Sequence, residues 1–284
     1  MKFSSLAAET FVPDGTPLAA ALARTTHLCL AAHQDDIEIM AYHGIAECFG
    51  RRDRWFTGVV LTDGAGSPRA GKFAQFSDEK MKTVRRTEQR AAAKLGRYSA
   101  VIQLAHPSSA VKCDQTGVVA GDLAALLAHC SPHTVYLHNA ADKHDTHIAC
   151  FLRCIEALRA LPKTKRPKAV YGCEVWRNLD WLGDAEKIAL DVSANPKLAA
   201  KLVAVFQSQI AGGKRYDLAA AGRRLANATF HTSHATDRAA ALTWAMDLTP
   251  LVQNDRLSVE KFILDHIDRF RAEVAAGLKR FRQN

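Results

Sequence analysis

Short unbroken apolar runs alternate with longer stretches whose apolar positions recur every three or four residues. The short runs predict strands at His27–Ala32, Trp55–Thr62, Ala100–Leu104, Thr134–His138 and Ala169–Cys173. The longer stretches predict helices at Asp36–Phe49, Asp78–Leu95, Thr116–His129 and His144–Leu161. The first of these gathers Ile37, Met40, Ala41 and Ile45 on one face; Gly96 and Pro162 stop the second and the fourth. Strand and helix alternate to about residue 173, which implies an α/β chain with a mostly parallel sheet and helices on both faces. Beyond about residue 180 the pattern turns mainly helical, over Pro196–Ala211, Arg215–Ala228 and Val259–Arg282, with Gly212–Gly213 as a helix break. The expectation is a single domain over residues 1–284, with a core at about 26–180 and a helical C-terminal extension at about 181–284.

Polar clusters follow the predicted strands at residues 33–36, 62–69, 138–147 and 174–178. In a parallel sheet the strand exits share one rim, and ligands collect there. The clusters are therefore expected to converge.

Composition narrows this picture little. With 284 residues, 48% hydrophobic, the chain can bury a sizeable core. The formal charge of +9 is spread over short clusters without interleaved aromatics, so a solvated surface is expected and no nucleic-acid partner. Seven cysteines without a CxxC pair read as reduced, buried thiols. Glu9 and Asp14 interrupt the N-terminal segment before an apolar export signal forms, and no run approaches a membrane span. A cytoplasmic protein is the expectation.

The chemistry concentrates in two clusters. LCLAAHQDDIEIM ends an apolar run in His33, Gln34, Asp35 and Asp36. Adjacent carboxylates repel and are costly to bury, so a cation is the natural compensation. HNAADKHDTH follows the fourth strand and carries His144 and His147, again three apart. A mixed imidazole and carboxylate set suits Zn²⁺ with an open position for water. Taken singly, each histidine reads as a surface or core residue and the Asp35–Asp36 pair as a helix N-cap; the metal reading rests on both clusters together.

AHQDDIE resembles the AHPDDE motif of the PIG-L (LmbE-like) zinc-dependent de-N-acetylases, and HNAADKHDTH resembles that family's DxHxxH motif. TDGAGS is similar to its glycine-containing loop, and VRRTEQRAAAKLG to its RxxE helix. The resemblance spans about residues 26–160. It implies a Rossmann-like fold and a metal-dependent hydrolase that removes an N-acetyl group from an amino sugar, such as N-acetylglucosamine, or its glycoside. It implies His33, Asp36 and His147 as Zn²⁺ ligands, although Fe²⁺ or Co²⁺ tolerate the same set. It implies Asp35 as general base and His144 as the group that polarises the carbonyl or protonates the leaving amine. Two departures stand out. Gln34 replaces a proline, and the usual HPDH order reads His144, Asp145, Thr146, His147, so Asp142 or another residue must orient the histidine.

Arg69, Arg85, Asp142, Trp176, Arg177 and His234 are candidate substrate contacts. Arg85 equally reads as a pair with Glu88, Trp176 and Arg177 as a packed interface or a sugar platform, and the His231–Asp237 segment as a lid. The stripe Phe262, Ile263, Ile267, Phe270, Val274 and Leu278 is a core or subunit-contact face, which allows a homo-oligomer. The competing readings are an amidohydrolase on a non-sugar amide and a non-catalytic nucleotide- or sugar-binding module.

Overall fold

In the computed structural model, which describes residues 1–282, a sheet of eight strands runs through the molecule in the order β1-β4-β3-β2-β5-β6-β8-β7. The strands are β1 (Glu9–Phe11), β2 (His27–Ala31), β3 (Phe56–Thr62), β4 (Ala100–His106), β5 (Thr134–His138), β6 (Ala169–Cys173), β7 (Lys187–Asp191) and β8 (Leu242–Asp247). β4, β3, β2, β5 and β6 are parallel; β1 pairs antiparallel on β4, and β8 lies antiparallel between β6 and β7. β2 to β5 are buried along their whole length, which is why they read as unbroken apolar runs rather than as alternation.

Twelve α-helices flank the sheet among the described residues: α1 (Leu18–Ala23), α2 (Asp36–Met40), α3 (Tyr42–Cys48), α4 (Asp78–Leu95), α5 (Ser108–Lys112), α6 (Val118–Leu127), α7 (Asp145–Ala160), α8 (Pro196–Ala204), α9 (Gln207–Ile210), α10 (Tyr216–Thr229), α11 (Thr249–Gln253) and α12 (Val259–Arg282). One core layer packs α1, α6, α7, α11 and the start of α12 on one face. The other packs α2, α3, α4 and α8 on the opposite face. The chain builds outward from β2 through β3 to β4, then returns to place β5 on the other side of β2. The order therefore reverses between β2 and β5, and their carboxyl ends open a crevice there.

The fold class matches the sequence expectation, with three differences. The region after residue 180 is not purely helical, because β7 and β8 extend the sheet. β8, Leu-Thr-Trp-Ala-Met-Asp, is rich in helix formers; pairing with β6 and β7 overrides local preference. The helix expected at Asp36–Phe49 breaks at Ala41, whose φ of −111° and ψ of 21° leave the helical region, and Gly44 then meets the Tyr136 ring where a Cβ would come within 2.6 Å. The helix expected at Pro196–Ala211 likewise divides into α8 and α9. The first half of α12 packs on the core through Ile263, while Val274, Leu278 and Phe281 stay exposed. No helix among the described residues is long and apolar enough to cross a membrane.

Candidate metal centre

The crevice between β2 and β5 holds both polar clusters. His33 and Asp36 leave the end of β2, and His138, Asp142, His144 and His147 leave β5 and enter α7. His33 Nδ1, Asp36 Oδ2 and His147 Nε2 form a triangle with edges of 3.2, 3.1 and 3.3 Å. Donors bound to one tetrahedral Zn²⁺ at its usual bond lengths stand about 3.4 Å apart. The three atoms thus already have the spacing of one face of such a site, and the donor set fits a borderline divalent ion.

His138 and His144 extend the imidazole cluster, and each has a ring stacked on His147, at 3.9 and 4.6 Å between centroids. His138 Nε2 accepts the Ala32 backbone N–H at 2.9 Å. Its lone pair is engaged, so His138 ties β2 to β5 rather than offering a free ligand atom. His144 caps α7, its Nδ1 accepting the Thr146 N–H at 3.3 Å. That bond leaves the Nε2 proton on the ring's other side. Burial, reinforced by His147 and His33, pushes His144 down to about 4, so the ring is neutral near pH 7.

Asp142 Oδ2 sits 3.1 Å from His147 Nδ1, and Asp142 also accepts the backbone N–H groups of Lys143 and Trp176. A carboxylate behind a ligand histidine fixes its tautomer and aims the opposite nitrogen at the ion. Asp142 does not line the cavity, so the expected substrate contact gives way to this orienting position. The displaced acid of HDTH, Asp145, instead opens the first turn of α7, where a negative charge suits the helix N-terminus.

Asp35 is the N-cap of α2 at φ 86° and ψ −31°, an uncommon conformation for a non-glycine residue. The turn separates its carboxylate from that of Asp36. α4 holds it there: Arg85 Nη2 lies 3.0 Å from Asp35 Oδ2 and also donates to the Gln34 carbonyl, while Gln89 Oε1 accepts the Asp35 N–H at 3.3 Å. Burial raises Asp35 to about 7, against the pull of Arg85 and with the help of Asp36. Burial also works against ionised Asp36, but the His147 imidazole and the hydrogen bonds from His147 and His33 outweigh it and hold Asp36 well below the usual carboxylate range. The glycine-containing loop closes beside them. Gly64, at φ +78°, brings its backbone against Gln34 and Arg85.

A cavity of about 750 Å³ opens over the triangle, lined in part by His33, Asp35, Asp36, His144, Trp176 and Tyr216. Of the sequence candidates, Arg85 and Trp176 line it, and Arg85 does so as the partner of Asp35. Arg69, Arg177 and His234 do not. Arg69 is drawn to Asp78 at the start of α4; Arg177 and His234 are exposed, and the His231 ring packs on Trp244. Sequence reasoning missed Gln89, one helical turn beyond Arg85, where the i,i+4 spacing was an available signal. It also missed the wall supplied by Gln209, Lys214, Tyr216, Arg223 and Arg224. Those residues carry no motif and reach the crevice only through the path of α9 and α10.

An open α/β sheet bearing a His–Asp–His triangle at its switch point is the class that fold and site define. Residues 28–158 match the family described as PIG-L: GlcNAc-PI de-N-acetylase, and this stretch is a PIG-L domain, as its motifs implied. No curated protein sequence matches the chain. Among solved structures, the fold is similar to the 4-carboxy-2-hydroxymuconate hydratase GalB of Pseudomonas putida KT2440, at 19% identity and a TM-score of 0.61 over 82% of this chain and 98% of that one. It is similar to the N,N'-diacetylchitobiose deacetylase of Pyrococcus horikoshii, at 16% identity and a TM-score of 0.59 over 78% and 84%. It is also similar to the A40926 pseudoaglycone deacetylase Dbv21, at 17% identity and a TM-score of 0.54 over 79% and 97%.

Proposed function

We propose that this protein is a metal-dependent hydrolase that removes an N-acetyl group from an amino sugar or its glycoside. The observation that carries the reading is the triangle of His33, Asp36 and His147 beside a separately held carboxylate, Asp35, at the floor of a cavity. The PIG-L domain supports the reaction class. The fold alone does not choose it, since a protein named as a hydratase shares that fold.

His33, Asp36 and His147 would hold the ion, with Zn²⁺ the best match to the donor set and Fe²⁺ or Co²⁺ compatible with it. Such an ion supplies Lewis acidity and lowers the pKa of water to about 7. The chain's own groups do the rest. Asp35, held by Arg85 at the cavity floor beside the ligand triangle, takes the proton from the attacking water. Arg85 and the Asp35 turn aim that carboxylate away from Asp36. His144, a neutral ring with Nε2–H available, donates to the carbonyl oxygen as negative charge develops there. The proton held by Asp35 then passes to the leaving nitrogen, and acetate and a free amine depart. Trp176 and Tyr216, edge to face at 6.1 Å, offer the apolar surface against which a sugar ring packs.

The test is an acetate-release screen over N-acetylated sugars with metal-loaded wild type and Asp35→Asn. Release by the wild type, lost in the variant, supports the proposal. Turnover that survives the substitution unchanged removes Asp35 from the mechanism, and a metal-free protein that binds nucleotide tightly points to a binding module.

A further inference from the structure

The peptide unit between Gln34 and Asp35 is gripped at both ends by α4. Arg85 Nη2 donates to the Gln34 carbonyl, and Gln89 Oε1 accepts the Asp35 N–H at 3.3 Å. Arg85 and Gln89 stand four residues apart, share one helix face and are both buried. A peptide unit held by its carbonyl and its N–H cannot rotate as a plate. That rotation is what would carry Asp35 from its φ of 86° to the negative values a non-glycine residue prefers.

Gln89 acts in this way only if its amide oxygen, not its nitrogen, faces Asp35. Its other neighbours make that choice. Gln89 Nε2 donates to Glu38 Oε1 at 2.9 Å, and the Tyr98 hydroxyl donates to the same oxygen at 2.7 Å. Oε1 accepts both bonds whether or not Oε2 carries a proton. Turning the amide over would set two acceptors face to face at Glu38 and two donors face to face at Asp35, a double loss in a buried place. Glu38 is the last residue of AHQDDIE and lies wholly buried on α2. Tyr98, just before β4, is itself fixed. Its ring meets Phe56 edge to face at 4.8 Å, and Gly96 leaves it room, since a Cβ there would come within 2.4 Å of the ring. The bonds thus run from Tyr98 through Glu38 and Gln89 to the Asp35 N–H.

We infer that Gln89 and Glu38 are positioning residues for the base: Gln89 and Arg85 clamp the Gln34–Asp35 peptide, and Glu38 fixes the amide orientation on which the clamp depends. Their bearing on catalysis rests on the hydrolase reading, which gives Asp35 its role. Neither Gln89 nor Glu38 lines the cavity, so both act through Asp35.

The experiment measures acetate release by the metal-loaded variants Gln89→Met, Glu38→Leu, their double variant and Glu38→Gln. Gln89→Met keeps the length of the side chain and removes the amide. Its kcat is expected to fall about tenfold or more, with KM within about twofold of wild type and metal stoichiometry unchanged. Glu38→Leu should lose a similar factor, and the double variant no more than the worse single one, because Glu38 acts through Gln89. Glu38→Gln keeps an oxygen for both donors and should restore most of the kcat that Glu38→Leu loses. A merely structural role would lower Tm and leave kcat per folded molecule near wild type. That pattern, or kcat losses that multiply in the double variant, overturns the inference. If the wild type releases no acetate from any N-acetylated sugar, the hydrolase reading fails separately. A crystal structure of Gln89→Met then decides the clamp: Asp35 at negative φ supports it, and Asp35 still near 86° rejects it.

Discussion

Asp35 and Arg85 form a buried ion pair, with Asp35 Oδ2 3.0 Å from Arg85 Nη2 and side chains 6% and 2% exposed. The pair joins the turn after β2 to the middle of α4. It positions the proposed base and favours its ionised form, against burial and Asp36, which push the carboxyl's pKa up. Removing one partner strands the other as an unpaired buried charge, a loss of about 3–5 kcal/mol. Arg85→Met should therefore unfold at lower denaturant and lose acetate release together. Asp35→Asn also removes the charge facing Arg85 but leaves it a hydrogen-bond acceptor, so it should lose less stability than Arg85→Met while lowering kcat about a hundredfold or more at wild-type metal stoichiometry. Paired activity and metal analyses of the two variants separate the roles.

His33→Ala and His147→Ala each delete a corner of the ligand triangle. Both should purify without stoichiometric metal and without activity. A variant that retains a full equivalent of metal would show that the ion sits elsewhere.

Asp142 touches His147 Nδ1 and does not line the cavity. Asp142→Asn is expected to weaken metal affinity about 10- to 100-fold. Chelator competition reads this directly. With metal in excess, KM should stay near wild type, whereas a substrate contact at Asp142 would raise it.

Gly64 stands at φ +78°, and an added Cβ would lie 2.8 Å from Gln34 Oε1 and 3.0 Å from Arg85 Cβ. Gly64→Ala adds backbone strain to that crowding. A loss of about 1–3 kcal/mol is expected, seen as a lowered Tm with reduced acetate release. An unchanged Tm would mean the loop moves freely.

At the opposite end of β2, His27 packs against Tyr136, with Cys48 Sγ 3.3 Å from its Nδ1. Burial, then the neighbouring His43, pushes His27 down to about 4. The unfolded chain titrates near about 6.5 and so binds the extra proton between these values. Stability from this group is fully present above about pH 6.5 and declines as pH falls toward about 4, by on the order of 3 kcal/mol. Urea unfolding between those limits should show a shallower decline in His27→Gln than in wild type. Parallel curves would assign the pH dependence to other groups.

Much of the centre was legible before folding. His33, Asp36 and His147 stand out because carboxylates and imidazoles at the ends of apolar strands have no packing reason to be there, and both clusters follow strands that the topology sets side by side. Asp142 stood in the right segment, but its role depended on a 3.1 Å contact with His147 that spacing does not reveal. Arg69 and Arg177 were misplaced because a loop arginine chooses its partner only in three dimensions. Arg69 met Asp78 first.

The sequence by itself determined the alternation of buried strands and amphipathic helices, and with it the parallel sheet and the rim where the polar clusters meet. Those features depend on local periodicity and on the expense of leaving carboxylates in a core. Only the tertiary structure decided that β7 and β8 extend the sheet, that Asp35 turns toward Arg85, and that Lys214 and Tyr216 close the cavity. Each of these depends on contacts between residues far apart in the chain, where pairing and burial outweigh the preference of any short segment.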